Sequence, residues 1–183
     1  IKTFEYNDLS ALKKIINNNN LAAVIMEVAR DIKPEKNFLK KVRNLTEQKK
    51  IPLIFDECTS GFRETFGGLH LKYGVNPDIV IYGKALGNGY AINAVVGREE
   101  IMKEASSTFI SSTFWTERIG SVAGLKTLEV MEGLKPWVSA TEIGKKVRKI
   151  WRNLADMNDL DISISGLPAI STFAFKGSNA LKY

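Results

Sequence analysis

The chain has 183 residues, 44% hydrophobic and 25% charged, the composition of a globular protein; no apolar run reaches the ~18 residues of a membrane span and no secretory signal opens it. Its net charge of +6 comes without zinc-ligand spacing, an RNA-binding aromatic motif or a helix-turn-helix pattern, so no metal site, nucleic acid or membrane partner is expected. One cysteine, Cys58, excludes an internal disulfide and fits a reducing, cytoplasmic setting.

Apolar runs and helical patterns then alternate along the chain. Asp8 to Asn18 spaces its apolar residues as an amphipathic helix, with Asp8 or Ser10 available as a cap. Leu21 to Val28 is nearly continuous in apolar residues and too short for a typical helix, so it reads as a strand buried on both faces. Lys36 to Lys50 returns to helical spacing, with Phe38, Leu39, Val42 and Leu45 on one side. "IPLIFDE", "PDIVIYGK" and the short "NAVVG" supply three further strands. Strands separated by helix-length segments predict an α/β fold, with a mostly parallel sheet flanked by helices.

After Phe114 the pattern changes. Arg118 to Leu134 reads as one long helix that Pro136 breaks, and a basic amphipathic helix follows from about Val138 to Met157. Its cluster of Lys145, Lys146, Arg148, Lys149 and Arg152 is expected to be a solvated face. Alternation in "DISISG" and "AISTFAFKG" marks two half-buried strands. A domain change is placed at Lys135–Pro136, giving residues 1–135 and 136–183.

Two charges stand where buried strands stop. Asp56 ends "IPLIF" and Lys84 follows "DIVIYG", and in open parallel sheets ligands gather at that carboxyl edge. Such a pair is either a structural ion pair or a site in which the amine attacks a carbonyl carbon. Arg63 has two readings as well, a substrate carboxylate or a surface ion pair. The sole histidine, His70, reads as structural or surface, and Gly83, Gly87 and Gly89 as a tight backbone turn past the lysine rather than a nucleotide loop.

"IFDECTSGFR", "NPDIVIYGKALGNGYAINAVVG" and "SSTFWTERIGSVAGLKTLEVME", in that order, resemble the class III aminotransferases among the fold-type-I pyridoxal-phosphate (PLP) enzymes, and within them the glutamate-1-semialdehyde 2,1-aminomutase branch. The resemblance covers about Leu21 to Gly133. It implies part of a PLP-binding large domain, followed by the start of a small α+β domain. It also implies that Lys84 holds the PLP aldehyde as a Schiff base and then shuttles a proton, while Asp56 keeps the pyridine nitrogen protonated. Glu57, counted with the cofactor-binding residues, would support the site by hydrogen bonding. Cys58 would pack on the ring, and Thr59 stands where the family more often has Gln or Met, beside the ring hydroxyl. Thr113 matches the threonine that binds the PLP phosphate of a neighbouring subunit in a homodimer with shared sites, Ser112 is a second candidate, and the alternative for Thr113 is a helix cap before Arg118.

Three functions follow from the resemblance. The first is amino transfer between a small-molecule donor and acceptor, and "STFWTERIG" is similar to a subgroup tied to surface-polysaccharide biosynthesis. The second is the intramolecular aminomutase reaction. The third is a catalytically silent fragment or scaffold of the same fold. The resemblance places the glycine- or serine-rich phosphate loop and the ring-stacking aromatic before Ile1, and the usual substrate-carboxylate arginine after Tyr183. The chain is therefore expected to be a fragment that by itself binds PLP weakly or not at all.

Overall fold

The computed structural model describes residues 1–114 and 116–177; Trp115 and the last six positions of the expected second domain lie outside the described residues. Helix α1 (Leu9–Asn18) starts where Asp8 Oδ1 accepts a hydrogen bond from the Ala11 amide at 2.9 Å, so Asp8 and not Ser10 is the cap. Leu12 and Ile16 form its buried stripe. Strand β1 (Val24–Glu27) leads to helix α2 (Phe38–Gln48), which buries Phe38, Leu39 and Val42. Strand β2 (Leu53–Asp56), the short helix α3 (His70–Tyr73) and strand β3 (Ile79–Tyr82) follow.

The three strands are parallel in the order β1-β2-β3, with Val24 beside Leu53, Met26 beside Phe55 and Asp56 beside Ile81. This register puts Val24, Met26, Leu53, Phe55 and Val80 on one buried face with the stripes of α1 and α2. The opposite face differs from expectation at β1, where Ile25 is 57% exposed, because α1 and α2 both pack on the first face. Strand β4 (Ala94–Gly97) pairs antiparallel with β3 and closes the sheet as an edge strand. No α-helix separates β3 from β4, so the chain returns without the crossover a parallel neighbour needs.

Past helix α4 (Glu99–Met102), helices α5 (Ile119–Leu134) and α6 (Pro136–Met157) meet at Lys135, whose φ of 48° turns the chain so that Pro136 takes the first position of α6. Strands β5 (Ile162–Ser165) and β6 (Thr172–Phe175) form a separate antiparallel pair. The segment between them packs on α6 so closely that a Cβ on Gly144 would stand 1.9 Å from the Pro168 carbonyl oxygen. Arg148 leaves the expected solvated face to donate to the Ser165 and Gly166 carbonyls at 3.0 and 2.6 Å. Leu167 and Ile170 from this segment also join the main core. No helix among the described residues is long and apolar enough to cross a membrane.

Candidate active site

β2 and β3 end side by side, and their carboxyl edge gathers most of the site. Asp56 is the last residue of β2, and Lys84 follows β3 after a single residue, Gly83. A Cβ on Gly83 would stand 2.4 Å from Asn93 Oδ1 and 3.2 Å from Cys58 Sγ, so the backbone threads a slot between the two loops. Lys84 then opens a 3₁₀ turn (Lys84–Leu86) with φ 43°, a left-handed conformation that costs a non-glycine residue about 1 kcal/mol. The turn holds it there: the Gly87 and Asn88 amides both donate to the Lys84 carbonyl, at 3.1 and 3.0 Å. Eight other non-glycine residues among those described share a positive φ, and Lys84 is the one among them next to the carboxyl edge of β3.

The Lys84 ammonium is exposed and donates to Thr59 Oγ1 at 2.5 Å. Asp56 is half-buried and accepts the Cys58 amide at 3.0 Å. Among the described residues none of the salt bridges takes Asp56, Lys84 or Arg63, which excludes a structural ion pair for each. Burial, and then the charge of Asp56, pushes the Cys58 thiol above its ordinary value, so it is protonated at neutral pH and packs rather than attacks.

Glu57 does something other than line a ligand site. It is fully buried, and its two oxygens accept from Ser60 Oγ at 2.6 Å, the Leu69 and His70 amides at 2.8 Å each, and His70 Nδ1 at 2.8 Å. Facing an acceptor-only carboxylate, Nδ1 carries the proton. Burial pushes the Glu57 carboxyl up, but the bonds from His70, Ser60 and the two amides outweigh it and hold the group below the ordinary carboxylate range. With no surface left to offer, Glu57 acts through hydrogen bonds, bracing the loop that carries Cys58 and Thr59. His70 is structural, the reading its sequence position suggested.

A cavity of about 420 Å³ opens beside Lys84, with Phe62, Arg63, Asn88, Met131 and Trp137 among its walls. A larger one, about 810 Å³, runs along α5 between Gly87 and Leu134; its walls are largely the exposed apolar side of that helix, and its one lysine, Lys126, is paired with Glu129 at 2.6 Å. Ser112 and Thr113 lie in exposed irregular chain before α5, and none of the side-chain hydrogen bonds among the described residues ties them to Lys84. The cap of α5 is not Thr113 but Glu117, whose oxygens accept the Ile119 and Gly120 amides at 2.5 and 3.1 Å. An acidic residue just before an apolar helix carries that signal in the sequence.

The chain belongs to the class-III aminotransferase family, whose pattern matches residues 3–179. It is similar to the 3-aminobutyryl-CoA aminotransferase of Cloacimonas acidaminovorans, 36% identical over all of this chain and 46% of that protein. It is also similar to the glutamate-1-semialdehyde 2,1-aminomutase of Methanothrix thermoacetophila, 35% identical over 90% of this chain and 40% of that protein. The chain therefore spans less than half the length of these relatives. Among solved structures, the PLP internal aldimine form of FumI from Sphingopyxis sp. MTA144 shares the fold with a TM-score of 0.91 at 20% identity, over 98% of this chain and 45% of that one. Ornithine aminotransferase of Plasmodium yoelii superposes with a TM-score of 0.81 at 26% identity, over 94% of this chain and 48% of that one.

Proposed function

We propose that the protein containing this chain moves an amino group with PLP, and that Lys84 is the residue that holds the cofactor aldehyde. The observation that carries this is an amine on a strained backbone beside an unpaired carboxylate, at the carboxyl edge of two parallel strands of a class-III aminotransferase chain. The residues present suit the cofactor: Gly83 keeps the backbone close against Cys58 and Asn93, and Cys58 offers a soft protonated wall. When bound, PLP supplies an electron sink for the carbon that loses its proton. Asp56 would keep the pyridine nitrogen protonated, and the freed Lys84 amine would carry a proton between the substrate and acceptor carbons. Thr59 keeps that amine on its side of the edge through the 2.5 Å hydrogen bond.

Ser112 and Thr113 are proposed to reach a cofactor phosphate in a second subunit, with residues 136–183 opening the small domain. The lone Cys58 supports a reducing compartment such as the cytoplasm. A surface-polysaccharide substrate rests on the Ser112–Gly120 segment alone.

The aminomutase reading is the second, supported by the similarity to a protein of that name. Assaying the full-length protein with and without a 2-oxo acid separates the two, since only intermolecular transfer needs the acceptor. In either case Lys84→Ala is expected to lower turnover by about 10³-fold. Wild-type turnover in that variant sinks the assignment, whereas a full-length protein that takes up no PLP would leave the silent scaffold.

A further inference from the structure

The 420 Å³ cavity beside Lys84 has an unbalanced wall: it contains the Lys84 ammonium and the Arg63 guanidinium, and no carboxylate. Both cations are pinned to one residue. Lys84 donates to Thr59 Oγ1 at 2.5 Å, and Arg63 Nε donates to the Thr59 carbonyl at 3.3 Å. Arg63 is only partly exposed, so its charge is less screened than that of a free surface arginine.

The backbone works to keep it there. Phe62 has φ 61°, an outlier for a bulky residue, and is buried against Tyr82 and Phe66 at ring-centroid distances of 5.4 and 6.2 Å. Its amide donates to the Gly67 carbonyl at 2.7 Å, and the Arg63 amide donates to the Ser60 carbonyl at 3.3 Å. The cavity wall supplies no acidic residue to Arg63, whose terminal nitrogens form a planar fork that suits an oxyanion.

We infer that Arg63 binds an oxyanion, a carboxylate or a phosphate, of the molecule whose carbonyl carbon Lys84 takes. This deepens the proposed function and rests on its reading of Lys84. It assigns Arg63 a role in choosing ligands, apart from the substrate-carboxylate arginine that the resemblance places outside the chain.

The test needs no turnover. The purified full-length protein, stripped of bound cofactor, is incubated with paired aldehydes, succinic semialdehyde beside butanal and PLP beside pyridoxal. In each case the lysine amine and the aldehyde lose water to form an imine, and cyanoborohydride delivers hydride to its carbon, leaving a stable secondary amine. Peptide mass mapping then gives the labelling of Lys84, with the exposed Lys14 as reference.

We expect the charged member of at least one pair to label Lys84 about tenfold faster than its neutral partner. Arg63→Gln should remove that preference and Arg63→Lys retain part of it, with circular dichroism confirming the fold. Inorganic phosphate should suppress the preference in the unaltered chain, which keeps the test valid if Arg63→Gln fails to fold. The pair that responds identifies the oxyanion: succinic semialdehyde a carboxylate, PLP a phosphate. A labelled Lys84 with no more preference than Lys14, or with a preference that survives Arg63→Gln, overturns the proposal alone. A Lys84 that no aldehyde labels removes the underlying reading and the proposal with it.

Discussion

The two ends of the β2–β3 strand pair treat charge in opposite ways. At the amino end Asp78, whose side chain is 7% exposed, accepts from the Leu53 amide at 2.8 Å and from Arg43 at 2.7 Å, with Arg98 at 3.4 Å. Burial pushes its carboxyl up, but the Leu53 amide and the two guanidiniums outweigh that and leave it below the ordinary range. At the carboxyl end Asp56, Lys84 and Arg63 have hydrogen bonds but no ionic partner among the described residues. Charges that hold the fold are satisfied inside it, and the charges left open are the ones proposed to meet a ligand. Glu57, one residue past Asp56, shows that the distinction follows burial and not position in the chain.

Mutations at the two ends should therefore read differently. The largest stability loss is expected for Asp78→Ala, which strands Arg43 and the Leu53 amide: about 3 kcal/mol by urea unfolding, against under about 1 kcal/mol for Asp56→Ala. Equal losses would erase the contrast. Glu57→Gln comes next at about 2 kcal/mol, because an amide cannot accept from four donors as the carboxylate does.

Acid should sharpen the same line. Asp78 and Glu57 both titrate lower folded than unfolded, so their stabilisation is complete above the ordinary carboxylate range, about pH 4–5, and is lost as pH falls through the folded values. Unfolding midpoints measured from pH 7 downward should stay level and then drop, and Glu57→Gln should shallow the drop. The smallest effect is expected for Gly83→Ala, about 1 kcal/mol. Asn93 Oδ1 is the end of an exposed side chain and can move, which leaves the tight contact with Cys58 Sγ.

Much of this was legible in the sequence because it is local. The Asp8 cap, the buried stripe of α2, the Lys135–Pro136 turn and the two charges at strand ends each depend on near neighbours. Membership in the class-III family was legible too, from three motifs in order. What escaped is made by distant segments. The bracing of Glu57 by Leu69 and His70 depends on a loop closing over a carboxylate, and nothing in "FDE" distinguishes the buried acid from the available one. Arg148 looks like its solvated neighbours until the β5–β6 connection lies against it. The antiparallel sense of β4 did have a signal, the lack of a helix-length segment after Lys84. The α3 turn is too short to show periodicity.

The central claim is that Lys84 is the amine that takes the cofactor carbonyl. Borohydride reduction of the full-length protein with excess PLP, followed by peptide mass mapping, tests it most directly. A pyridoxyl adduct is expected on the peptide containing Lys84 well above that on exposed lysines such as Lys14, with its disappearance in Lys84→Arg at unchanged labelling elsewhere. Labelling spread evenly over surface lysines, with Lys84 unmodified, would contradict it.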